Sequence, residues 1–201
     1  MKKIVIFDFD ETLIHENSLK RLFEYYCNRP KLLGYVIFSL FDKRFYTRKY
    51  KTVVKSTLYK RVLKGQSEQS LFVAGTSVAN SLTPITKVLD ALENHADKNF
   101  EVWIVTASPE LFVRGIVESL GWSVDRVIGT QMVHCEGVLE GTFELECEWH
   151  QKVLRLYSEL RTQKEKVVFH ASYGNLPQDE QILSVAEHQF QVKNGYLSQI
   201  N

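Results

Sequence analysis

Asp8 and Asp10 stand two positions apart, just past a short apolar run at residues 3–7. Side chains at i and i+2 of an extended stretch point the same way. Two carboxylates so placed repel each other and call for a cation or a shared proton. Their oxygens suit a hard divalent ion such as Mg2+. With that charge managed, one carboxylate can serve as a nucleophile and the other as a general acid and base. Farther along, Thr106, Ala107 and Ser108 precede Pro109. The Thr106 hydroxyl and the free backbone N–H groups of a helix starting at Pro109 would make an anion site. Ser108 stands at the N-cap position of that helix.

These groups need strands and helices to bring them together. Residues 3–7 are rich in Ile and Val and apolar on both faces, the pattern of a strand in a parallel sheet covered by helices. Residues 101–105, 124–129 and 166–170 read as further strands. Helices are expected over 83–95, with Thr83 as cap and Pro84 as first residue, and from Pro109 to 120, closed by Gly121. Two more are expected over 148–160 and 179–186. Residues 131–145 alternate and contain Glu136-Gly137 and Glu140-Gly141, which predicts a β-hairpin. Short strands near Phe190 and Tyr196 finish the chain. Strand, loop and helix recur, so the predicted fold is an α/β layered core with a parallel sheet. Ligands in such sheets bind beyond the carboxyl ends of the strands. Asp8, Thr106 and Asn175 all occupy such ends.

The segment between the first two strands is different in kind. Leu19, Leu22, Phe23 and Tyr26 have helical spacing, with Pro30 ending that element. Further helices are expected over 31–41, 46–63 and 67–78. This predicts an all-helical insertion at residues 15–82, set into a core made of 1–14 and 83–201. Charge is segregated in the same way. Thirteen of the 25 basic residues, but only two acidic ones, lie between Lys20 and Lys64, with ten of the chain's aromatics. The net charge of +1 therefore hides a strongly basic segment, suited to an anionic partner. Residues 32–45 mix apolar bulk with Lys43 and Arg44, as an interfacial helix on an anionic membrane would. The plainer reading is a bundle with buried aromatics and a solvated basic face. No nucleic-acid recognition motif accompanies the charge, so no nucleic acid is expected as partner.

Composition narrows the class. A chain of 201 residues makes one or two domains and can bury a core without disulfides. Hydrophobic residues at 44% and charged residues at 24% exclude a disordered chain. Three cysteines without a C-x-x-C pair argue against a disulfide framework or a cysteine zinc site, and for a cytoplasmic location. The apolar start is too short for a signal-peptide core, and residues 32–41 are about half of the ~20 needed to cross a membrane.

Asp8-Phe9-Asp10-Glu11-Thr12 resembles the D-x-D-x-T signature of haloacid dehalogenase superfamily phosphatases. Thr106, Lys152 and Gly174-Asn175-(x3)-Asp179 resemble that family's three later motifs, in order. Residues 105–110 and 127–130 are most similar to its phosphoserine-phosphatase-like branch (subfamily IB), including phosphatidylglycerophosphatase C and its relatives. The resemblance implies a three-layer Rossmann-like core with a helical cap. It also implies a Mg2+-dependent phosphomonoester hydrolase acting on a small phosphorylated substrate, with an amphiphilic one among the candidates. Asp8, Asp10, Thr106 and Lys152 would be catalytic, and Thr106, Ala107, Ser108 and Lys152 would bind phosphate. Asp8, Asp10, Asn175 and Asp179 would hold the metal. Where this chain has Asn175 the family usually has aspartate, which implies weaker metal binding with more of the load on Asp179. Two alternatives follow: a silent phosphate-binding protein, and a membrane-peripheral lipid phosphatase. Arg155, one turn after Lys152, is the other nearby cation.

Overall fold

A computed structural model of the chain describes residues 1–46, 50–161 and 166–201. One sheet contains β1 (Lys2–Phe7), β2 (Glu101–Pro109), β3 (Arg126–Cys135), β4 (Val138–Leu145), β5 (Val167–Gly174), β6 (His188–Lys193) and β7 (Tyr196–Gln199). Its order is β4-β3-β2-β1-β5-β6-β7. The five inner strands run parallel, and β4 and β7 pair antiparallel at the edges. β1 is central, and the chain leaves it toward β2 on one side and reaches β5 on the other. The carboxyl end of β1 is therefore a topological switch point, where such sheets open a crevice.

Alternation along β1 builds the layers. Val5 and Phe7 face Val88 and Leu92 of α5 (Thr86–Asp97) and Phe112, Val113 and Ile116 of α6 (Glu110–Leu120). Ile4 and Ile6 face the other way, with Trp103, Val105 and Ile128, toward Leu156 of α7 (His150–Leu160) and Ile182 of α8 (Glu180–Leu183). A strand buried on both faces has to be apolar throughout, as Ile4 to Phe7 are.

Between β1 and β2 the described residues form α1 (Ser18–Tyr26), α2 (Arg29–Ser39), α3 (Tyr50–Leu58) and α4 (Glu68–Val78), with a π-helical turn at Tyr59–Leu63. These helices share the core. Leu22, Phe23, Tyr59, Leu63 and Leu71 join the cluster that holds Val5 and Phe7. α4 lies directly on α6. A Cβ on Gly75 would stand 2.1 Å from the Phe112 carbonyl oxygen, and one on Gly115 would stand 2.2 Å from that of Phe72. Only hydrogen at these two positions lets the backbones approach so closely.

Several local expectations are corrected. The strand at 124–129 and the first arm of the hairpin are one strand, β3, which pairs with β2 and then with β4. Thr83 and Pro84 do not open a helix. Thr83 donates its N–H and hydroxyl to the Glu16 carboxylate, Pro84 bridges to Ile14, and α5 begins at Thr86. Pro109 ends β2, and no side chain caps α6. Pro30 sits in the first turn of α2, where its missing N–H costs nothing, and Asn28 caps that helix. Of the helix expected over 46–63, Tyr46 ends a separate 3-10 turn (Lys43–Tyr46), residues 47–49 lie outside the described residues, and the rest is α3 followed by the wider π turn. The last helix is a single turn, α8.

The α4–α6 contact can be tested by sign. Gly75→Ala should lower stability by about 1–3 kcal/mol, because its methyl has no space to occupy. Gly34→Ala, in open space on exposed α2, should raise it by roughly 0.5–1 kcal/mol. Urea midpoints at unchanged m-values would report both.

Candidate active site

Past β1 the chain makes a tight turn. The Phe9 carbonyl accepts the Leu13 N–H at 2.9 Å, and the turn brings the Thr12 hydroxyl back to donate to Asp8 Oδ2 at 2.9 Å. The Asp8 N–H still donates to Tyr173 of β5, so its backbone is fixed by the sheet. Asp10 is fixed from the other side. Ser18, first residue of α1, donates its backbone N–H to Asp10 Oδ1 at 2.5 Å, and the Ser108 hydroxyl donates to Asp10 Oδ2 at 3.3 Å. A helix N-terminus is a favourable place for a carboxylate.

Lys152 lies in the first turn of α7 and is 4% exposed. Its Nζ donates to Asp8 Oδ1 at 2.5 Å and to Asp179 Oδ1 at 2.7 Å. Asp179 Oδ2 accepts the Asn175 N–H at 2.9 Å, closing the loop after β5. Gly174 permits this closure, since a Cβ there would meet the Asp179 Cβ at 2.7 Å. The Asn175 amide donates through Nδ2 to Glu11 Oε2 at 3.1 Å. Arg155 turns away, toward Glu110 and Glu159, and is no substitute for Lys152.

These groups enclose a cavity of about 170 Å³. Asp8, Asp10, Ala107, Lys152, Asn175 and Asp179 line it, as do Glu11, Asn17, Glu148, Trp149 and Gln178. Thr106 and Ser108 lie behind its wall. Thr106 is wholly buried and its hydroxyl oxygen accepts the Ser108 N–H at 3.2 Å, while the Ser108 hydroxyl serves Asp10 and Ser18. The helix expected from Pro109 starts one residue later, at Glu110, because β2 continues to Pro109. The residues not anticipated include Glu11, Ser18, Glu148, Trp149 and Gln178. Glu11 had a signal in its place inside the acidic motif; the others follow from how α1, α7 and the β5 loop pack.

The charges do not balance. Three carboxylates, Asp8, Asp10 and Asp179, face the single ammonium of Lys152. Burial, then the charge of Asp179, pushes Asp8 up to about 7 despite the lysine beside it. Burial also raises Asp10, against the opposing hydrogen bonds from Ser18. Burial alone would lower Lys152, but the Asp8 and Asp179 charges outweigh it and hold the ammonium protonated. A desolvated excess of hard oxygen donors is the donor set a Mg2+ ion takes, so the residues present fit that cation.

The pH dependence has a definite sign. Asp8 is raised in the fold, so the stability it confers is complete at acid pH and is lost as pH rises toward 7. Lys152→Met removes the one opposing charge. In EDTA the variant should lose about 3–5 kcal/mol near pH 8, the usual cost of breaking a buried pair. Near pH 5, where the stranded carboxyls take up protons, it should lose less. Thermal unfolding at both pH values would show it; an equal deficit at both would contradict the charge imbalance.

The haloacid dehalogenase-like hydrolase family matches residues 5–184. No curated protein matches the sequence. Among solved structures, a protein of unknown function from Bordetella pertussis Tohama I gives a TM-score of 0.70 at 17% identity, over 92% of this chain and 86% of that one. A phosphoserine phosphohydrolase-like protein from Francisella tularensis subsp. tularensis SCHU S4 gives 0.59 at 17% identity, over 92% and 82%. A phospho-aspartyl intermediate analogue of phosphoserine phosphatase gives 0.54 at 17% identity, over 92% and 83%. At these identities the likeness to solved structures is one of fold. The family match runs from the central strand through the helix after Asp179, and the chain belongs to the haloacid dehalogenase-like hydrolases.

Proposed function

We propose that this chain is a Mg2+-dependent phosphomonoester hydrolase with Asp8 as its nucleophile. The observation that carries the reading is the buried Asp8–Lys152–Asp179 bridge, with Asp10 two residues along in the same small cavity. Thr12 and Lys152 orient the two Asp8 oxygens. An Asp8 oxygen attacks phosphorus and the bond to the leaving oxygen breaks, giving an aspartyl-phosphate. Asp10, raised by burial, carries the proton that the leaving oxygen takes. Asp10 then accepts a proton from water as that water attacks phosphorus, which releases phosphate and restores Asp8. Lys152 and Ala107, which line the cavity, form the anion-binding side, and Thr106 and Ser108 behind the wall hold that turn in place. Asp8, Asp10 and the Asn175 amide oxygen would hold Mg2+, which when bound neutralises charge on the transferring group. Asp179 adds charge while its oxygens stay with Lys152 and the Asn175 N–H. The helices at 15–82 act as the cap that selects the leaving group.

Wild type should release phosphate from a generic aryl phosphate with Mg2+, and Asp8→Asn should fall to background. Asn175→Asp should bind Mg2+ more tightly by calorimetry, through its added charge. If wild type is inert and only Asn175→Asp turns over, the chain is the silent phosphate-binding alternative.

A specific observation favours an amphiphilic substrate. A cavity of about 600 Å³ lies among α1, α2 and α3, lined by Leu19, Phe23, Leu32, Leu33, Val36, Val54 and Leu58. Asn17 lines both this cavity and the catalytic one. Lys55 lines it too and pairs with Glu148, which lines the catalytic cavity. A leaving group with an apolar tail could span the two. No helix among the described residues is long and apolar enough to cross a membrane, so contact with a lipid surface would be peripheral. Across a series of n-alkyl phosphates, kcat/KM should rise with chain length, since each buried methylene contributes about 0.8 kcal/mol. Val54→Asp should remove that rise while turnover of a short aryl phosphate persists. A flat series would leave the small polar substrate as the reading.

A further inference from the structure

We infer that His170, Glu187 and His188 form a second metal site, for a divalent transition ion of the Zn2+ type, on the β5–β6 side of the sheet away from the catalytic cavity. One ligand atom from each residue lies within 4.8 Å of the other two. The backbone fixes this grouping. Glu187 donates its N–H to the Phe169 carbonyl at 3.0 Å, and His188 stands opposite Ala171 in the β5–β6 register. Both therefore flank His170 by strand pairing.

The donor chemistry differs from that of the catalytic cavity. Two imidazoles and one carboxylate suit Zn2+ and its neighbours, whereas Mg2+ takes oxygen alone. Three protein ligands with a fourth position left to water is a familiar zinc arrangement. Bonds of about 2.0–2.2 Å set tetrahedral ligand atoms roughly 3.3–3.6 Å apart. His170 Nδ1 and Glu187 Oε2 are already 3.5 Å apart. The His170 and His188 rings are 5.0 Å apart at 81°. Glu187 and His188 are exposed, so a small side-chain swing on the open side closes the triangle.

A second observation points the same way. His170 Nδ1 is buried and makes no hydrogen bond, and it faces the Glu187 carboxylate at the longer distance of 3.5 Å. A buried imidazole nitrogen ordinarily makes such a bond, and one left without it asks for an explanation. Its ring is held from behind by Phe100 at 4.9 Å and His95 at 5.9 Å, so the nitrogen stays aimed at Glu187. His95 Nε2 is 3.0 Å from the Tyr173 hydroxyl, and His95 Nδ1, also without a hydrogen-bond partner, lies outside the ligand group.

The test is a Zn2+ titration of the full chain against a chromophoric chelator, with excess Mg2+ to occupy oxygen-only sites. Wild type should bind one Zn2+, with imidazole 15N shifts at His170 and His188. His188→Gln and Glu187→Gln, both at exposed positions, should weaken binding at least about tenfold. Asp8→Asn and Cys135→Ser should leave it unchanged, which separates this site from the catalytic cavity and from the exposed thiol. Zn2+ binding that survives His188→Gln, or that is lost with Asp8 or Cys135, would overturn the assignment. So would the absence of binding.

Discussion

A buried ammonium shared by two buried carboxylates governs this structure. Lys152 is held between Asp8 and Asp179, and all three are nearly inaccessible to solvent. Taking such charges out of water is expensive and is offset only where geometry is good and the remaining oxygens are hydrogen-bonded. Here they are. Thr12 takes the second oxygen of Asp8, and the Asn175 N–H takes that of Asp179. The bridge draws on the end of β1, the first turn of α7 and the loop after β5. Those elements must converge at the carboxyl end of the sheet, which the position of β1 between β2 and β5 accomplishes.

Asp10 extends the same constraint to the helices between β1 and β2. Its two oxygens are held by the first residue of α1 and by Ser108 at the end of β2. The carboxylate proposed to move the proton is thus a joint between that helical segment and the sheet. A second joint lies where the segment leaves and returns. Glu16 accepts both hydrogen bonds of Thr83, and the His15 N–H donates to the Thr83 carbonyl at 3.0 Å. With α4 seated on α6 through glycine, these helices are anchored at both ends rather than hung on a linker. Any motion that admits substrate has to work around those anchors.

Chemistry at strand ends was legible in the sequence because it depends on short-range facts. An apolar strand followed by D-x-D puts two carboxylates at a sheet edge whatever the rest of the chain does. Lys152 and Asp179 were legible only through their resemblance to family motifs; nothing local marks a lysine as buried. The misread elements share a cause. Thr83, Ser108 and Pro109 carry the local signature of helix caps, yet both hydroxyls are used by distant partners, Glu16 and Asp10. Tertiary hydrogen bonds overrode a local preference worth about 1 kcal/mol. β3 was divided in two because its first half is buried in a parallel pair and its second half alternates in an antiparallel one. One strand thus carries two patterns. The pairing of Asn175 with Glu11 spans 164 positions and has no sequence signal.

That pairing bears on the largest departure from the family's pattern. Asparagine at 175 takes one negative charge out of the motif, which by itself would weaken the hold on a cation. Glu11 restores a carboxylate at the same rim: it lines the cavity and accepts from the Asn175 amide. Donation through Nδ2 also orients the amide, leaving its carbonyl oxygen as the acceptor available for a cation. The charge is displaced by one side chain rather than deleted. It now sits on an exposed residue whose backbone is in the left-handed region at φ 58°, where the turn after Asp10 fixes its direction. A cavity that sets Asp8, Asp10 and Asp179 against one lysine gains less from a fourth carboxylate at position 175 than from one at the solvated edge. There the charge would attract a cation without adding to the desolvation already carried by Asp8.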